Sequence, residues 1–148
     1  MMRMIFIRHG AKRSNGGELT SYGRKMSFQT GQWLSQKGYI PARGFHTPTA
    51  RTQQTLEEVL LGCERRIQVQ QIEIGENWQG WLALLEKISK TNTSDVVVVG
   101  HHPTTEMLAQ HYNIRIPTQN FATAIVLQKS SDGLWSFIDS WQGQTAIS

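Results

Sequence analysis

The sequence contains little cysteine and no long apolar segment. Cys63 is the one cysteine among 148 residues, so the chain forms no internal disulfide and no cysteine-rich zinc site. No apolar run approaches the roughly 20 residues of a membrane span. The apolar run at residues 4–7 ends at Arg8, short of the roughly 7 to 15 apolar residues of a secretory signal. We therefore expect a cytoplasmic protein with no membrane partner.

The chain also lacks internal repeats and any linker rich in proline, glycine or serine. Its hydrophobic content of 39% and charged content of 18% are near the globular average, so we predict one domain over residues 1–148. The net charge of +4 and the pI near 9.5 favour an anionic ligand. That ligand is either nucleic acid or a phosphate group.

Strand and helix patterns alternate along the chain. Runs rich in Ile and Val at residues 4–7 and 96–99 are typical of strands buried on both faces of a sheet. Further strands are predicted at residues 44–47, 67–72, 123–128 and 134–141, and helices at 20–37, 49–61, 81–88 and 103–112. Thr20 is the predicted N-cap of the first helix. Apolar spacing predicts a buried face of Tyr22, Met26, Trp33 and Leu34 on the first helix and a shared face of Met107, Leu108 and His111 on the last. The pattern predicts an α/β fold whose sheet is mostly parallel, with an antiparallel C-terminal edge.

Three loops that follow predicted strands carry cationic or imidazole side chains. Residues 8–10, Arg-His-Gly, follow the first strand, Arg51 follows the second, and His101 and His102 follow the strand at 96–99. Because the carboxyl ends of parallel strands meet at one edge of a sheet, we expect these side chains to share a crevice. A neutral imidazole can attack phosphorus, and arginine offers paired donors to phosphoryl oxygens. The sequence therefore predicts a phosphate pocket with a histidine nucleophile and no metal.

These motifs resemble the signature of the histidine phosphatase superfamily, which carries Arg-His-Gly after its first strand. Residues 19–23, Leu-Thr-Ser-Tyr-Gly, are similar to the family's Leu-Thr-x-x-Gly helix start, and residues 47–55 resemble its Ser-Pro-x-x-Arg-Ala-x-x-Thr motif. Val-Gly-His at 99–101 resembles the segment with the second catalytic histidine. The interval between Arg51 and His101 is too short for an inserted cap. This short interval resembles the small SixA-like phosphohistidine phosphatase branch. Residues 120–125, Asn-Phe-Ala-Thr-Ala-Ile, are similar to the Phe-Thr-Thr-x-Ala-Ile stretch of the same branch.

The resemblance implies one histidine phosphatase domain over residues 1–148, without a cap, and a three-layer α/β/α, phosphoglycerate-mutase-like fold. Carried over by position, His9 is the nucleophile, while Arg8, Arg51 and His101 hold the phosphoryl oxygens. The implied activity is a phosphatase that uses no metal or cofactor and passes through a phosphohistidine intermediate. Its implied partner is a signalling protein phosphorylated on histidine, or else a small phosphorylated metabolite.

Five further residues are candidates with less support from their positions. Gly10 is a candidate phosphate-binding residue, because glycine lets the backbone turn closely around a phosphate, and Asn15 stands where many family members carry a phosphate-site asparagine. His102 either lines the pocket or begins the following helix. The general acid is Glu73 or Glu76, and their spacing does not decide between them.

Alternative functions remain open at this point: a small-molecule phosphomonoesterase, a silent module that binds phosphorylated partners, and a nucleic-acid-binding module. An imidazole, with a pKa near 6.5, departs more readily than an alkoxide, which favours phosphohistidine as the substrate. We expect no nucleic-acid partner, because no basic stretch with interleaved aromatic residues is present. We expect no metal, because the histidines show no HExxH arrangement.

Overall fold

The computed structural model describes residues 2–14, 16–72, 78–91 and 94–142. In these residues, strands and helices alternate along the chain as predicted. Their bounds in chain order are β1 Met2–Arg8, α1 Ser21–Gln36, β2 Pro41–His46, α2 Ala50–Gly62, β3 Gln68–Gln71, α3 Trp78–Thr91, β4 Asp95–Gly100, α4 Thr104–His111, β5 Ala124–Lys129 and β6 Trp135–Trp141. Within the described ranges, no helix is both long enough and apolar enough to cross a membrane.

The strands form one sheet in the order β3-β2-β4-β1-β5-β6. The four strands from β3 to β1 pair in parallel, whereas β5 runs antiparallel to both β1 and β6. The predicted sheet, mostly parallel with an antiparallel C-terminal edge, is therefore confirmed. β1 and β4 lie side by side in its middle, which explains why their sequences are continuous apolar runs.

Apolar side chains build a core on each face of the sheet. Successive side chains of a strand point to opposite faces, so Met4 and Phe6 of β1 lie in one core while Ile5 and Ile7 lie in the other. The first core is covered by α3 and α4, and the second by α1 and α2. This is the predicted three-layer α/β/α arrangement.

α1 begins where the sequence predicts, but its buried face differs from the expected one. The hydroxyl of Thr20 accepts a hydrogen bond from the Gly23 amide at 2.9 Å and caps the helix. Tyr22, expected on the buried face, is 43% exposed, whereas Ser27 and Thr30 are buried. Ser27 lies beside Gly10, and the Thr30 hydroxyl donates to the Ala122 carbonyl oxygen at 2.8 Å, so polar side chains form part of this face. A search for apolar spacing does not detect them.

The buried face of α4 also differs from the prediction. Leu108 is buried as expected, but Met107 and His111 are exposed. The buried stripe instead includes Thr104 and Thr105, one turn before Leu108. Threonine is not counted as apolar in a hydrophobic pattern. The predicted buried stripe is therefore rotated around the helix from the observed one, and the two share Leu108.

α1 and α2 pack with their backbones in contact at two glycines. A Cβ at Gly31 of α1 would overlap the carbonyl oxygen of Val59 in α2. A Cβ at Gly62 of α2 would overlap the carbonyl oxygen of Phe28 in α1. Neither helix can accept a methyl group at these positions without moving away from the other.

The Gly31→Ala substitution is therefore expected to lower the free energy of unfolding by about 1 to 3 kcal/mol, the usual range for overpacking. Urea unfolding followed by circular dichroism measures the change. Gly17→Ala is the matched control, because a Cβ at Gly17 would meet no atom within 4 Å. Equal unfolding midpoints for the two variants would contradict the close contact between α1 and α2.

Candidate active site

The segments that carry the predicted site residues follow three neighbouring strands, β2, β4 and β1. These strands are parallel, so their carboxyl ends lie at the same edge of the sheet. The backbone amide of His9 donates to the carbonyl oxygen of Gly100, the last residue of β4, at 3.1 Å. The His9 and His101 rings consequently lie edge to face, with their centroids 5.6 Å apart. Two histidines far apart in sequence are thus brought side by side.

His9 is held in one tautomer by its neighbour in sequence. The ring is 6% exposed, and its Nδ1 lies 2.8 Å from the carbonyl oxygen of Gly10. A carbonyl oxygen only accepts hydrogen bonds, so Nδ1 carries the proton and Nε2 keeps its lone pair. Burial is the largest cause that lowers the pKa of His9 to about 4; the hydrogen bond to the Gly10 carbonyl opposes this shift, and Arg51, His101 and Arg8 add to it. At neutral pH His9 is therefore an uncharged imidazole with an unprotonated Nε2.

This pKa makes stability depend on pH. Between the pKa of about 4 in the folded chain and the ordinary value of 6.5, the unfolded chain binds a proton on His9 that the folded chain does not. The free energy of unfolding should therefore fall as the pH drops from about 6.5 towards about 4, by on the order of 3 kcal/mol from this group. Urea unfolding of the wild type and His9→Gln at about pH 7 and about pH 4.5 tests this. The variant should lose less stability on acidification, and an equal loss in both proteins would contradict the assignment.

Arg8 and Arg51 supply positive charge next to His9. The Nε atoms of both side chains are buried and have no hydrogen-bond partner. Arg8 donates from one terminal nitrogen to the Gln119 carbonyl oxygen at 3.2 Å, which fixes its guanidinium. Burial lowers the pKa of Arg8, although arginine stays charged at any working pH. Buried donors without partners are costly, so this corner of the molecule is suited to an anion that brings its own oxygens.

His101 is oriented by a chain of threonine hydroxyls. Its Nε2 lies 2.8 Å from Thr47 Oγ1, which donates to Thr52 Oγ1 at 3.0 Å. The Thr52 hydroxyl in turn donates to the Thr47 carbonyl oxygen at 2.7 Å. These hydrogen bonds fix the orientation of the His101 ring, with Nε2 facing Thr47. The resemblance motif contains Thr47, but sequence reasoning gave it no role.

The packing of the loop against α1 requires a glycine at position 10. A Cβ at this position would lie 2.7 Å from the Gly23 carbonyl oxygen and 2.8 Å from Ser27 Oγ, so only glycine lets the loop approach α1. Its amide already donates to Thr55 Oγ1 at 2.9 Å. The contribution of Gly10 to the site is its carbonyl oxygen, which holds His9.

His102 is exposed just before α4 and forms an ion pair with Glu106, with Nδ1 and Oε2 2.7 Å apart. The other carboxylate oxygen of Glu106 accepts from the Gln119 amide at 3.3 Å. Gln119 therefore bridges Glu106 and Arg8, and the carboxylate of Glu106 favours the charged form of Arg8. His102 is joined to the arginine through this bridge rather than through a direct contact.

Three of the sequence candidates, Asn15, Glu73 and Glu76, lie outside the described residues, and their roles stay predictions. In the part of the chain that the structure describes, no group of three or more His, Cys, Asp or Glu side chains is placed to hold a metal ion.

Sequence reasoning missed the loop that closes over the end of β1. The Gln119 side chain is fully buried and donates to the carbonyl oxygens of Phe6 and Thr123 at 3.0 and 3.1 Å. The Ala122 amide donates to the carbonyl oxygen of Arg8 at 2.9 Å, so the loop is bound to the strand that carries the site. Phe121 projects from it over Arg8. These residues are uncharged, so the sequence shows no chemical pattern that marks them as part of a site. In the sequence analysis, this segment contributed only to the family resemblance.

No protein-family model matches the sequence, and a search of curated proteins finds no match. Solved structures give a clear likeness. The protein histidine phosphatase SixA complexed with tungstate has a TM-score of 0.80 and 20% identity, with 94% of this chain and 96% of that chain covered.

Two other phosphatases are also similar in structure. A mycobacterial glucosyl-3-phosphoglycerate phosphatase in complex with VO3 has a TM-score of 0.73 and 14% identity, with 96% of this chain and 99% of that chain covered. A phosphoserine phosphatase from Entamoeba histolytica, in complex with 3-phosphoglyceric acid, has a TM-score of 0.67 and 14% identity, with 99% and 98% covered. Across nearly its whole length, the chain has the same fold as these phosphatases.

Proposed function

We propose that this protein is a metal-independent phosphatase with His9 as its nucleophile, and that it acts on phosphohistidine in a signalling protein. One observation carries the proposal: an uncharged imidazole with an unprotonated Nε2 lies beside two half-buried arginines whose Nε atoms are buried and lack partners. The likeness to a SixA structure that holds tungstate supports it, because tungstate is an oxyanion similar in shape to phosphate. The likeness by itself concerns the fold.

In the first step the lone pair on His9 Nε2 attacks phosphorus. The bond from phosphorus to the substrate's ring nitrogen breaks, and its electron pair returns to that nitrogen. If the other nitrogen of the substrate ring is protonated, the ring departs as neutral imidazole without any further proton transfer. His9 then carries phosphorus on Nε2 and hydrogen on Nδ1, so its ring is positively charged, and the Gly10 carbonyl stabilises that charge.

Arg8, Arg51 and His101 act on the phosphoryl group during this transfer. Negative charge is spread over the three equatorial oxygens as the group moves between nitrogens. Fixed donors around those oxygens stabilise the transition state at little reorganisation cost. His101, whose Nε2 faces Thr47, donates to a phosphoryl oxygen from Nδ1 when that nitrogen carries a hydrogen, and the two guanidinium groups supply the charge that Mg²⁺ provides in other phosphoryl-transfer enzymes.

In the second step water attacks phosphorus, and the electrons of the phosphorus–Nε2 bond return to His9. The water loses a proton, inorganic phosphate leaves, and the enzyme is restored. We assign activation of this water, and protonation of any alkoxide leaving group, to Glu73 or Glu76. A phosphohistidine substrate needs such an acid least, because imidazole is a good leaving group.

A substrate panel tests the proposal. Turnover is measured on a phosphohistidine protein, a phosphohistidine peptide and small alkyl phosphates, each with and without a chelator. We expect efficient release of phosphate from the phosphohistidine substrates and an unchanged rate with chelator, because the arginines already supply the charge. Turnover of alkyl phosphates alone would assign the protein as a phosphomonoesterase. Activity lost on chelation and restored by zinc or magnesium would contradict the metal-independent mechanism.

A further inference from the structure

A partly exposed aromatic ring lies at the edge of the candidate site. Phe121 is 38% exposed, yet its ring centroid is 4.3 Å from the Arg8 guanidinium carbon and 5.6 Å from the His9 ring centroid. It therefore touches both the proposed nucleophile and one of the two arginines, while part of its surface faces solvent.

The ring is supported by a loop that is fixed on both sides of it. Before Phe121, the buried Gln119 side chain binds two backbone carbonyl oxygens, and the Asn120 amide donates to Thr123 Oγ1 at 3.1 Å. After Phe121, the Ala122 amide donates to the carbonyl oxygens of both Arg8 and His9, at 2.9 and 3.2 Å. A ring so close to the reacting imidazole is thus held in place before any substrate binds.

The leaving group of an in-line phosphoryl transfer lies beyond the phosphorus, on the side away from the nucleophile. Because His9 is buried and Phe121 is 38% exposed, we infer that the solvent-facing part of the Phe121 ring is available to a leaving group that extends out of the site. Aromatic rings attract one another at centroid distances of about 4.5 to 7 Å. A flat ring bonded to the phosphorus is therefore a better neighbour for Phe121 than an alkyl alcohol is.

We propose that Phe121 is a specificity-determining residue that receives the ring of the leaving group and so favours phosphoryl groups carried on a flat, imidazole-like ring. This rests on the phosphatase function proposed above. The competing interpretation is that Phe121 only covers Arg8 and affects all substrates alike.

Two small substrates with the same type of bond separate these interpretations. Phosphoimidazole and phosphoramidate both carry phosphorus on nitrogen, but only the first has a ring. We expect Phe121→Leu to lower kcat/KM for phosphoimidazole by about 3- to 10-fold, the size of one aromatic contact, and to leave phosphoramidate within twofold. Phe121→Tyr should restore the preference for the ring. Phe28→Leu is the matched control, because Phe28 is 37% exposed on α1, outside the site.

A binding measurement tests whether the Phe121→Leu substitution disturbs the arginine pocket. The affinity for tungstate, measured by calorimetry, should be the same in Phe121→Leu and wild type, which shows that the arginine pocket is intact. An equal loss on both substrates, or no loss on either, would overturn the specificity role.

Failure of the phosphohistidine function gives a different pattern. If the wild type hydrolyses neither nitrogen-linked substrate, phenyl phosphate and an alkyl phosphate of similar size replace them. A selective loss on phenyl phosphate would then support the role of Phe121 although the phosphohistidine assignment had failed. Absence of turnover on all four compounds would overturn both proposals.

Discussion

The His9→Ala variant is expected to lose turnover completely, because no other side chain among the described residues presents an unprotonated imidazole nitrogen at the end of β1. Wild-type enzyme incubated briefly with a labelled phosphohistidine substrate should retain label that is released by acid and survives base. That label should map to His9. Label on His101, or turnover that survives the substitution, would show that the roles of the two histidines are reversed.

His46 provides a matched control for this experiment. His46 is the last residue of β2, much as His9 directly follows β1. Like His9, it is 6% exposed, and its Nδ1 lies 2.7 Å from the carbonyl oxygen of the next residue, Thr47. His46→Ala therefore removes a buried imidazole with the same local hydrogen bond. We expect it to retain the acid-labile label per folded molecule, so that loss of label in His9→Ala is not a general effect of losing a buried histidine.

Arg51→Leu is expected to lower kcat by about 100- to 1000-fold, the usual result of removing one preorganised donor from a transition state. Arg51 lies in the first turn of α2 and its charge acts on His9, so we assign its guanidinium to the phosphoryl oxygens. Steady-state kinetics on a phosphohistidine substrate measures the loss. Arg51→Lys keeps the positive charge but lacks the planar guanidinium with its paired donors. Its kcat should lie between those of Arg51→Leu and wild type.

Arg24→Leu is the control for net charge, because Arg24 is an exposed arginine near the start of α1. It should change kcat less than twofold. A loss in Arg51→Leu confined to KM would contradict the proposed role, since it would mean that Arg51 binds the ground state and the transition state equally.

Sequence reasoning succeeded for the fold where apolar residues and helix caps carry the information. The runs at 4–7 and 96–99 identified the two central strands, and Thr20 identified the start of α1 to the residue. The helix faces were less accurate. α1 buries Ser27 and Gly31, and α4 buries Thr104, because close backbone approach and hydroxyl bonds to carbonyls make small polar residues suitable for a core.

The same limit applies to the site. The sequence predicted that Arg8, His9, Arg51 and His101 lie near one another, because charge and imidazole at the ends of parallel strands are chemically informative; their catalytic roles stay predictions. The contacts of Thr47 with His101 and of Phe121 with Arg8 form only once distant segments have met. No local pattern in the sequence encodes them.

The arrangement of β2, β4 and β1 as neighbours links ligand binding to folding. Each of these strands delivers a site residue from a different part of the chain, so an unfolded chain has no oxyanion site to offer. A ligand that binds only the folded chain raises its stability by mass action, by about 2.7 kcal/mol at a concentration 100 times its Kd. The melting temperature of the protein should therefore rise with tungstate concentration, and in cells the level of phosphorylated substrate would also set how much of the protein stays folded.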